Sequence, residues 1–535
     1  MEVLDNLLAR LAQLNDVGVA LSRERDIPRL LERILLAAKE LTHADGGTLY
    51  LMSADGSKLE FSLVHNTTLA IHLGGTADEQ ILLPPLPLRS PDGTPNTSII
   101  AVSSAVNHQT INIADAYEVD DFDFSGMRLF DEKMGYRSRS FLTVPMKNHE
   151  GDVIGVLQLI NNVDPTSGNV IPFSQTDQNL VESLSSQAAI ALTNYHLLRQ
   201  QEKLFEAFIN MINLAIDDKS PYTAGHCARV PKLTMMLADA VEAATCGPFA
   251  GFTMSPADRY ELHIAGLMHD CGKVTTPVHV VDKASKLETI CDRIDLVDTR
   301  FEIIKRDLEI RFLRGQRDNA ETAQTDSDLA AQLAAMNADR DFLHKVNIGG
   351  EAMRAEDQQR VRDISQRYRW TNPQGQTVAF LSDNEIENLT IRAGTLSAAE
   401  RQIINNHIVV TIRMLESLPW PKHLKRVPEF AGGHHERMDG KGYPRGLTGA
   451  QMSPQARMMA IADIFEALTA IDRPYKLGKG LSESLEILFE MGQRGHVDPD
   501  LLDVFIQSGV YLDYAKEFLD PVQIDTVDLE KLKRH

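Results

Sequence analysis

Seven side chains in the second half of the chain have the types needed to hold metal ions: His226, the pair His269 and Asp270, His407, the pair His434 and His435, and Asp463. Taken singly, a histidine on a helix is more often a hydrogen-bonded structural residue than a ligand. Adjacent His-Asp and His-His pairs shift that balance. Imidazole nitrogen together with carboxylate oxygen suits borderline divalent metals such as iron, manganese, nickel or zinc, whereas magnesium favours oxygen alone. In His269-Asp270-Cys271-Gly272-Lys273 the aspartate has two oxygens with which to bridge two ions. Lys273 follows the histidine by one helical turn, so its ammonium can reach the same centre. Gly272 is expected to keep this turn uncrowded for substrate.

The elements that must position these residues read as helices over 220–290 and 395–510, with apolar runs such as YELHIAGLMHD and RMMAIADIFEALTAI. Between them, 288–395 is rich in charges of alternating sign. Ile294, Val297, Phe301, Ile304 and Leu308 alternate at three and four, and LAAQLAAMNADRDFL continues as helix after a polar break near Asn319 to Asp328. A helical hairpin projecting from the main body is predicted.

The first 200 residues follow a different rule. GTLYLM (Gly47–Met52) and LEFSLV (Leu59–Val64) flank the turn-rich SADGSK, and SFLTVPM (Ser140–Met146) and VIGVLQLINN (Val153–Asn162) flank NHEGD. Two hairpins imply an antiparallel sheet flanked by helices. From Leu184 the spacing changes: Leu184, Ala188, Ala191, Tyr195, Leu198, Phe205, Ile209, Ile212 and Ile216 alternate at four and three, with Glu202 as the charged break. This heptad pattern predicts a parallel coiled-coil stalk; the competing reading buries the stripe against the chain's own domains.

With 535 residues the chain exceeds one core, and 54 Lys plus Arg against 75 Asp plus Glu leave a net charge of −21. That field repels polymeric nucleic acid and anionic lipid. Cys227, Cys246, Cys271 and Cys291 form neither a zinc spacing nor a disulfide framework, so reduced thiols and a cytoplasmic location are expected. No stretch approaches the ~18 uninterrupted apolar residues of a membrane span, and the acidic, amphipathic start lacks the form of a signal peptide.

HDCGK, GGHHERMDGKGYPRGL (Gly432–Leu447), IADIFEAL (Ile461–Leu468) and DRPYK (Asp472–Lys476) together resemble the HD-GYP subgroup of the HD-domain metal phosphohydrolases, over roughly 205–510 without the insertion. The resemblance implies hydrolysis of the bacterial messenger cyclic di-GMP to linear pGpG, with continuation to GMP expected mainly of three-metal members. It implies that His226, His269, Asp270, His407, His434, His435 and Asp463 bind two divalent ions, iron or manganese before nickel or zinc, with Asp270 as the bridge. Asp270, His269 and Lys273 become the catalytic group. Lys273, Gly442, Tyr443, Pro444, Arg473 and Lys476 become the substrate contacts, holding phosphate or guanine. The third-metal glutamate of some members is Tyr222 here, which favours two metals. DKASKLE before the insertion and RAGTLSAAE after it resemble two versions of one family loop, so the insertion is expected to emerge there.

GGTLYLM, INIADAY, GYRSRSFLTVPM and GDVIGVLQLINN are similar to a GAF domain, a sensory fold that takes cyclic nucleotides, tetrapyrroles or other small ligands. No Cys lies within residues 1–226, which excludes a thioether-linked bilin there, and Phe124, Met127 and Phe130 are read as pocket or core packing. The organisation is then multidomain α+β: an N-terminal helix (1–26), a GAF-like domain (27–178), a coiled-coil linker helix (179–218), the all-α HD-GYP domain in two parts (219–287 and 396–512), a charged helical insertion (288–395) and a tail (513–535). The implied protein is a homodimeric cyclic di-GMP phosphodiesterase regulated through its GAF domain. Competing readings are a catalytically weak receptor that engages cyclic di-GMP or a diguanylate cyclase through the GYP loop, and an enzyme acting on cyclic GMP-AMP. The complete set of His and Asp ligands favours catalysis.

Overall fold

Short turns rich in Asp, Gly and Ser set the register of the N-terminal sheet. Between β1 (Ala44–Met52) and β2 (Lys58–Asn66), Asp55 accepts hydrogen bonds from Ser53 Oγ (2.6 Å) and Ser57 N (3.1 Å), and Gly56 turns at φ 66°. The remaining strands are β3 (Ile71–Gly74), β4 (Leu86–Pro87), β5 (Ile111–Ile113), β6 (Phe141–Lys147), β7 (Val153–Val163) and β8 (Val170–Ile171). They form an antiparallel sheet of order β3-β2-β1-β7-β6-β5, with β4 on β2 and β8 on β7. Both expected hairpins are present, as β1–β2 and β6–β7. The computed structural model describes residues 2–532 except 25, 78, 80, 220–224, 318–324, 351 and 472–477.

Side chains alternate across the pleat, so the two sheet faces acquire separate cores. On one, Leu49, Leu63, Leu142, Leu157 and Leu159 pack against Ile34, Leu35 and Leu41 of helix Ile27–Thr42 and against Leu180, Leu184 and Ala188 of helix Gln175–Lys219. On the other, Tyr50, Leu59 and Val156 meet Ala101, Val102 and Ala105 of helix Ile100–Asn107. Each fully buried Leu or Ile contributes about 1.5–3 kcal/mol.

The chain divides into two units, Met1–Phe205 and Glu206–His535, and helix Gln175–Lys219 runs through the boundary without interruption. Along it the structure moves the predicted seam. Leu184 and Ala188 belong to the sheet core, and Ile209 and Ile216 are buried within the chain, so these four do not face an outside partner. Of the predicted series Leu198 is exposed; the other exposed apolar side chains on this helix are Ile190, Leu197, Leu204, Phe208, Met211 and Leu214, of which Ile190, Leu197, Leu204 and Met211 recur at seven-residue intervals, and each is more than half exposed. The four/three alternation thus follows a mostly buried or half-buried face, and the exposed seven-residue repeat runs one residue out of step with it, before Ala191, Leu198, Phe205 and Ile212.

In the second unit, helices His226–Glu242, Pro256–Met268, Ala398–Glu416, Val427–Gly432 and Pro454–Thr469 pack on one another. Their starts are fixed locally. Ser255 with Asp258 and Ser397 with Glu400 form reciprocal capping boxes, and Ser453 caps the last of these helices. The insertion contains the expected hairpin, Ile294–Arg317 and Asp326–Asn347. It also contains a third helix, Ala355–Arg367, a two-stranded ribbon (Arg369–Thr371 with Thr377–Ala379) and a short helix, Asp383–Leu389. Phe301, Met336, Leu343, Val361, Ile364, Phe380 and Leu389 close a core of its own, in which the Phe301 and Phe380 rings lie 4.5 Å apart. Arg300 forks onto buried Glu385 at 2.8 and 3.1 Å. The insertion is thus a small folded module rather than a bare hairpin.

Candidate metal centre

Each candidate ligand sits at a place where a helix begins, ends or turns its buried face inward. His269 ends helix Pro256–Met268, and Asp270 follows as the backbone leaves helical geometry into the tight turn Cys271–Thr275. His226 opens the helix that follows Gly225. His407 lies on the buried face of helix Ala398–Glu416 with Ile408, Thr411 and Leu415. His434 and His435 follow helix Val427–Gly432, and Asp463 is buried on Pro454–Thr469.

Hydrogen bonds fix the histidine tautomers. His269, His407 and His434 each donate Nδ1–H to the carbonyl three residues earlier, Gly266 (2.7 Å), Ile404 (2.6 Å) and Ala431 (2.6 Å). At His226 the same nitrogen meets the Glu466 carboxylate, which also accepts from Arg229 Nε at 2.7 Å. With Nδ1 engaged, Nε2 is left as the donor atom for a cation.

Those donor atoms converge in two groups, His226, His269, Asp270 and Asp463 in one and His407, His434 and His435 in the other, each within 4.8 Å. His226 Nε2 lies 3.2 Å from both Asp270 Oδ2 and Asp463 Oδ1, and 3.3 Å from His269 Nε2. The second oxygen of Asp270 lies 3.1 Å from His407 Nε2, and His407 Nε2 lies 3.2 Å from His435 Nε2. Asp270 therefore offers one oxygen to each group. Buried Asp270 Oδ1 and His434 Nε2 have no hydrogen-bond partner among the described residues. Imidazole nitrogens facing one another beside orphaned buried acceptors are costly without a cation, so the residues fit a divalent-metal centre.

Electrostatics agree. Burial opposes ionisation of Asp270 and Asp463, yet the charge of Lys273 and the neighbouring histidines hold Asp270, and His226 and His434 hold Asp463, well below the usual carboxylate range. Burial likewise opposes a charged His226, but Glu466, Asp270 and Asp463 outweigh it and hold the imidazole well above its ordinary value. His434 is pushed down to about 4, by burial first and His269 next.

Lys273 Nζ lies 2.5 Å from Asp270 Oδ2, so its ammonium reaches the centre as expected. Gly272 acts differently from the expectation. A Cβ there would fall 2.0 Å from His407 O and 2.6 Å from Thr411 N, and Gly272 N donates to Thr411 Oγ1 at 2.9 Å. Its bare α-carbon lets the turn close on the helix that carries His407, rather than making room for substrate. The Tyr443 ring stacks on His435 with centroids 4.9 Å apart, and Gly442 passes so close to the backbone of Glu436 that a Cβ would fall 2.5 Å from its Cα. Pro444 is half-buried in the same loop. Arg473, Lys476 and Tyr222 lie outside the described residues.

Three carboxylates or cations that sequence reasoning missed organise this site. Glu466 orients His226. Buried Glu436 accepts from Arg445 N (2.7 Å) and Leu447 N (2.9 Å) and so folds the loop that carries Tyr443. Lys283 is buried against Glu400. Glu436 was visible only as part of HHE, and Glu466 only as the acid one helical turn after Asp463.

In the N-terminal unit, Met127 and Phe130 line a cavity of about 230 Å³ together with Thr48, Tyr50, Tyr136 and Gln158. Phe124 instead packs in the core with Ile100, Ile113, Ala116 and Phe141. Asp131 of FDEKMGYRSRS is buried and accepts from Tyr117 Oη (2.9 Å), Ser138 N (2.7 Å) and Ser138 Oγ (2.8 Å), so it folds the loop beside the cavity.

Family models place a GAF domain at residues 26–192 and HD domains at 223–336 and 340–501. The chain thus carries a GAF domain followed by HD-domain sequence, a family that binds divalent metals. It is 45% identical over 82 residues to a 3'3'-cGAMP-specific phosphodiesterase of Vibrio cholerae, covering 15% of this chain and 19% of that one. To a cyclic di-GMP phosphodiesterase of Pseudomonas aeruginosa it is 44% identical over 121 residues, 22% of this chain and 28% of that one. A probable cyclic di-GMP phosphodiesterase of V. cholerae matches at 34% over 140 residues, 25% and 31% of the two chains. The chain therefore spans less than a third of the length of each of these relatives. Among the described residues no helix is long and apolar enough to cross a membrane.

Proposed function

We propose that this chain is a metal-dependent phosphodiesterase that hydrolyses cyclic di-GMP to linear pGpG. The observation that carries the reading is Asp270, whose two oxygens face the two groups of buried histidines. His226, His269, Asp270 and Asp463 would hold one ion and His407, His434 and His435 the other, with Asp270 shared. Iron or manganese suits this mixture of nitrogen and oxygen donors, and nickel and zinc are accommodated by the same atoms. When bound, such ions supply Lewis acidity toward the phosphodiester and a water acidic enough to attack at neutral pH.

The chain's own residues do the rest. Lys273 is held charged despite its burial, since the charges of Asp270 and Asp463 outweigh the loss of solvent, and its ammonium can neutralise charge that develops on the nonbridging phosphate oxygens. Burial keeps Tyr443 protonated far above neutrality, so its hydroxyl serves as a donor, and its ring on His435 marks the edge of the substrate site with Gly442 and Pro444. Arg473 and Lys476 are assigned by sequence to the phosphate or guanine. Water adds to phosphorus and gives up a proton, the P–O3′ bond breaks, and a proton is returned to the 3′-oxygen, which leaves as a hydroxyl. The GAF domain is assigned a regulatory role. Two chains associate through the exposed stripe Ile190, Leu197, Leu204 and Met211, since a seven-residue apolar repeat is satisfied by a matching helix.

The test is product identification on freshly reduced protein loaded with manganese or ferrous iron. Cyclic di-GMP should yield pGpG, and Asp270→Ala should abolish turnover. The Vibrio relative named for 3'3'-cGAMP makes that dinucleotide the competing substrate, to be assayed in parallel. Tight cyclic di-GMP binding without turnover of either dinucleotide by the metal-loaded protein would replace the enzyme reading by a receptor.

A further inference from the structure

His407 faces Asp270 across the whole insertion, so something other than sequence proximity must set their spacing. Two contacts grip the helix Ala398–Glu416 that carries it. One turn beyond His407, Thr411 Oγ1 accepts from Gly272 N at 2.9 Å. Two turns before His407, both carboxylate oxygens of Glu400 accept from one ammonium, Lys283 Nζ, at 2.9 and 2.7 Å.

Lys283 is no ordinary surface lysine. Its side chain is 1% exposed, and its third acceptor is Asn388 Oδ1 at 2.8 Å, on the last helix of the insertion, so every Nζ proton is used. Its carbonyl accepts from Thr395 Oγ1 at 2.9 Å. Glu400 is also the capping-box residue that fixes the start of the His407 helix, accepting from Ser397 N at 2.8 Å. Lys283 thus joins three pieces of chain: the segment after the His269–Asp270 turn, the exit of the insertion, and the helix of His407. A buried ammonium needs its acceptors in place, so it holds these pieces to one geometry.

We propose that Lys283, through Glu400, is a positioning residue for the half of the metal centre that contains His407, and that it links the insertion module to that half. The proposal rests on the two-metal reading above. It does not make Lys283 a catalytic residue, since it touches neither the ligands nor the substrate site.

Manganese binding to the full-length wild type, Lys283→Met, Glu400→Gln and the double variant tests it, with stoichiometry and affinity from calorimetry and the spin coupling of the ions from electron paramagnetic resonance. Wild type should bind two ions and show a coupled pair. The variants should keep one ion at wild-type affinity, bind the second at least about tenfold more weakly, and shift toward an uncoupled spectrum, by analogy with outer-shell partners of metal ligands. The double variant removes both charges of the pair, buried Lys283 and half-buried Glu400. If it unfolds like wild type yet still binds the second ion weakly, positioning rather than charge burial is responsible. Should Lys283→Met fail to fold, Glu400→Gln and the double variant decide. Two ions at wild-type affinity in the folded variants, or an equal loss at both pockets, overturns the clasp. A wild type that binds fewer than two ions overturns the two-metal reading itself, a separate failure.

Discussion

The Glu466 carboxylate closes on Nδ1 of His226 and, one helical turn beyond Asp463, ties that imidazole to the helix that also supplies Asp463. One side of the helix therefore delivers both an oxygen ligand candidate and the group that aims a nitrogen ligand candidate. Charge on Glu466 is itself secured: burial opposes it, but His226 and Arg229 hold it down at about 2.

Glu466→Gln keeps the shape and one hydrogen bond but removes the charge behind His226. Metal affinity at the His226 pocket should fall ~10- to 100-fold, since partners behind ligating histidines tune affinity by that much. Competition against a chelating dye measures this, and an unchanged dissociation constant would show that Glu466 merely fills space.

Metal binding should release a proton near neutral pH. In the metal-free protein His226 is held protonated above its ordinary range, so a cation must displace that proton, and affinity at this pocket should rise with pH until the raised value is passed. His434, held at about 4, is already neutral and should release none above pH 5. Calorimetry in buffers of different ionisation enthalpy should report about one proton released at the His226 pocket. Affinity independent of pH between 6 and 9 would contradict the assignment.

Gly272→Ala puts a methyl group against the backbone of His407 and Thr411, where no side-chain rotation can relieve the overlap. Displacing the helix should cost about 1–3 kcal/mol of stability and reduce turnover through misplacement of His407. Denaturant unfolding and a turnover assay on the same preparation check both effects. Wild-type behaviour in both would mean that the turn has room to spare.

Leu204→Asp and Met211→Asp introduce charge into the exposed stripe without touching the buried side chains Ile209 and Ile216. Each should shift wild type from dimer toward monomer in light scattering, with an unfolding midpoint close to that of wild type. A wild-type monomer, or an unchanged dimer mass in both variants, would remove the stripe from the interface.

The candidate metal centre was legible in sequence because His-Asp and His-His pairs are rare arrangements of reactive side chains, and all seven ligand candidates come together in space. The hairpins of the sheet were legible for a related reason: period-two alternation around short Gly-containing turns is written locally in the chain. Glu466 and Lys283 were not legible, because among 75 acidic and 54 basic residues a buried partner differs from a solvated charge only by what the fold puts beside it. The use of the apolar faces of helix Gln175–Lys219 was ambiguous for the same reason. Periodicity says that a helix has apolar faces, whereas burial decides which of them is already used. Gly272 shows the division most directly: its identity was in the sequence, but the backbone that passes within van der Waals reach of it belongs to a helix beyond the insertion, and only tertiary packing brings that helix there.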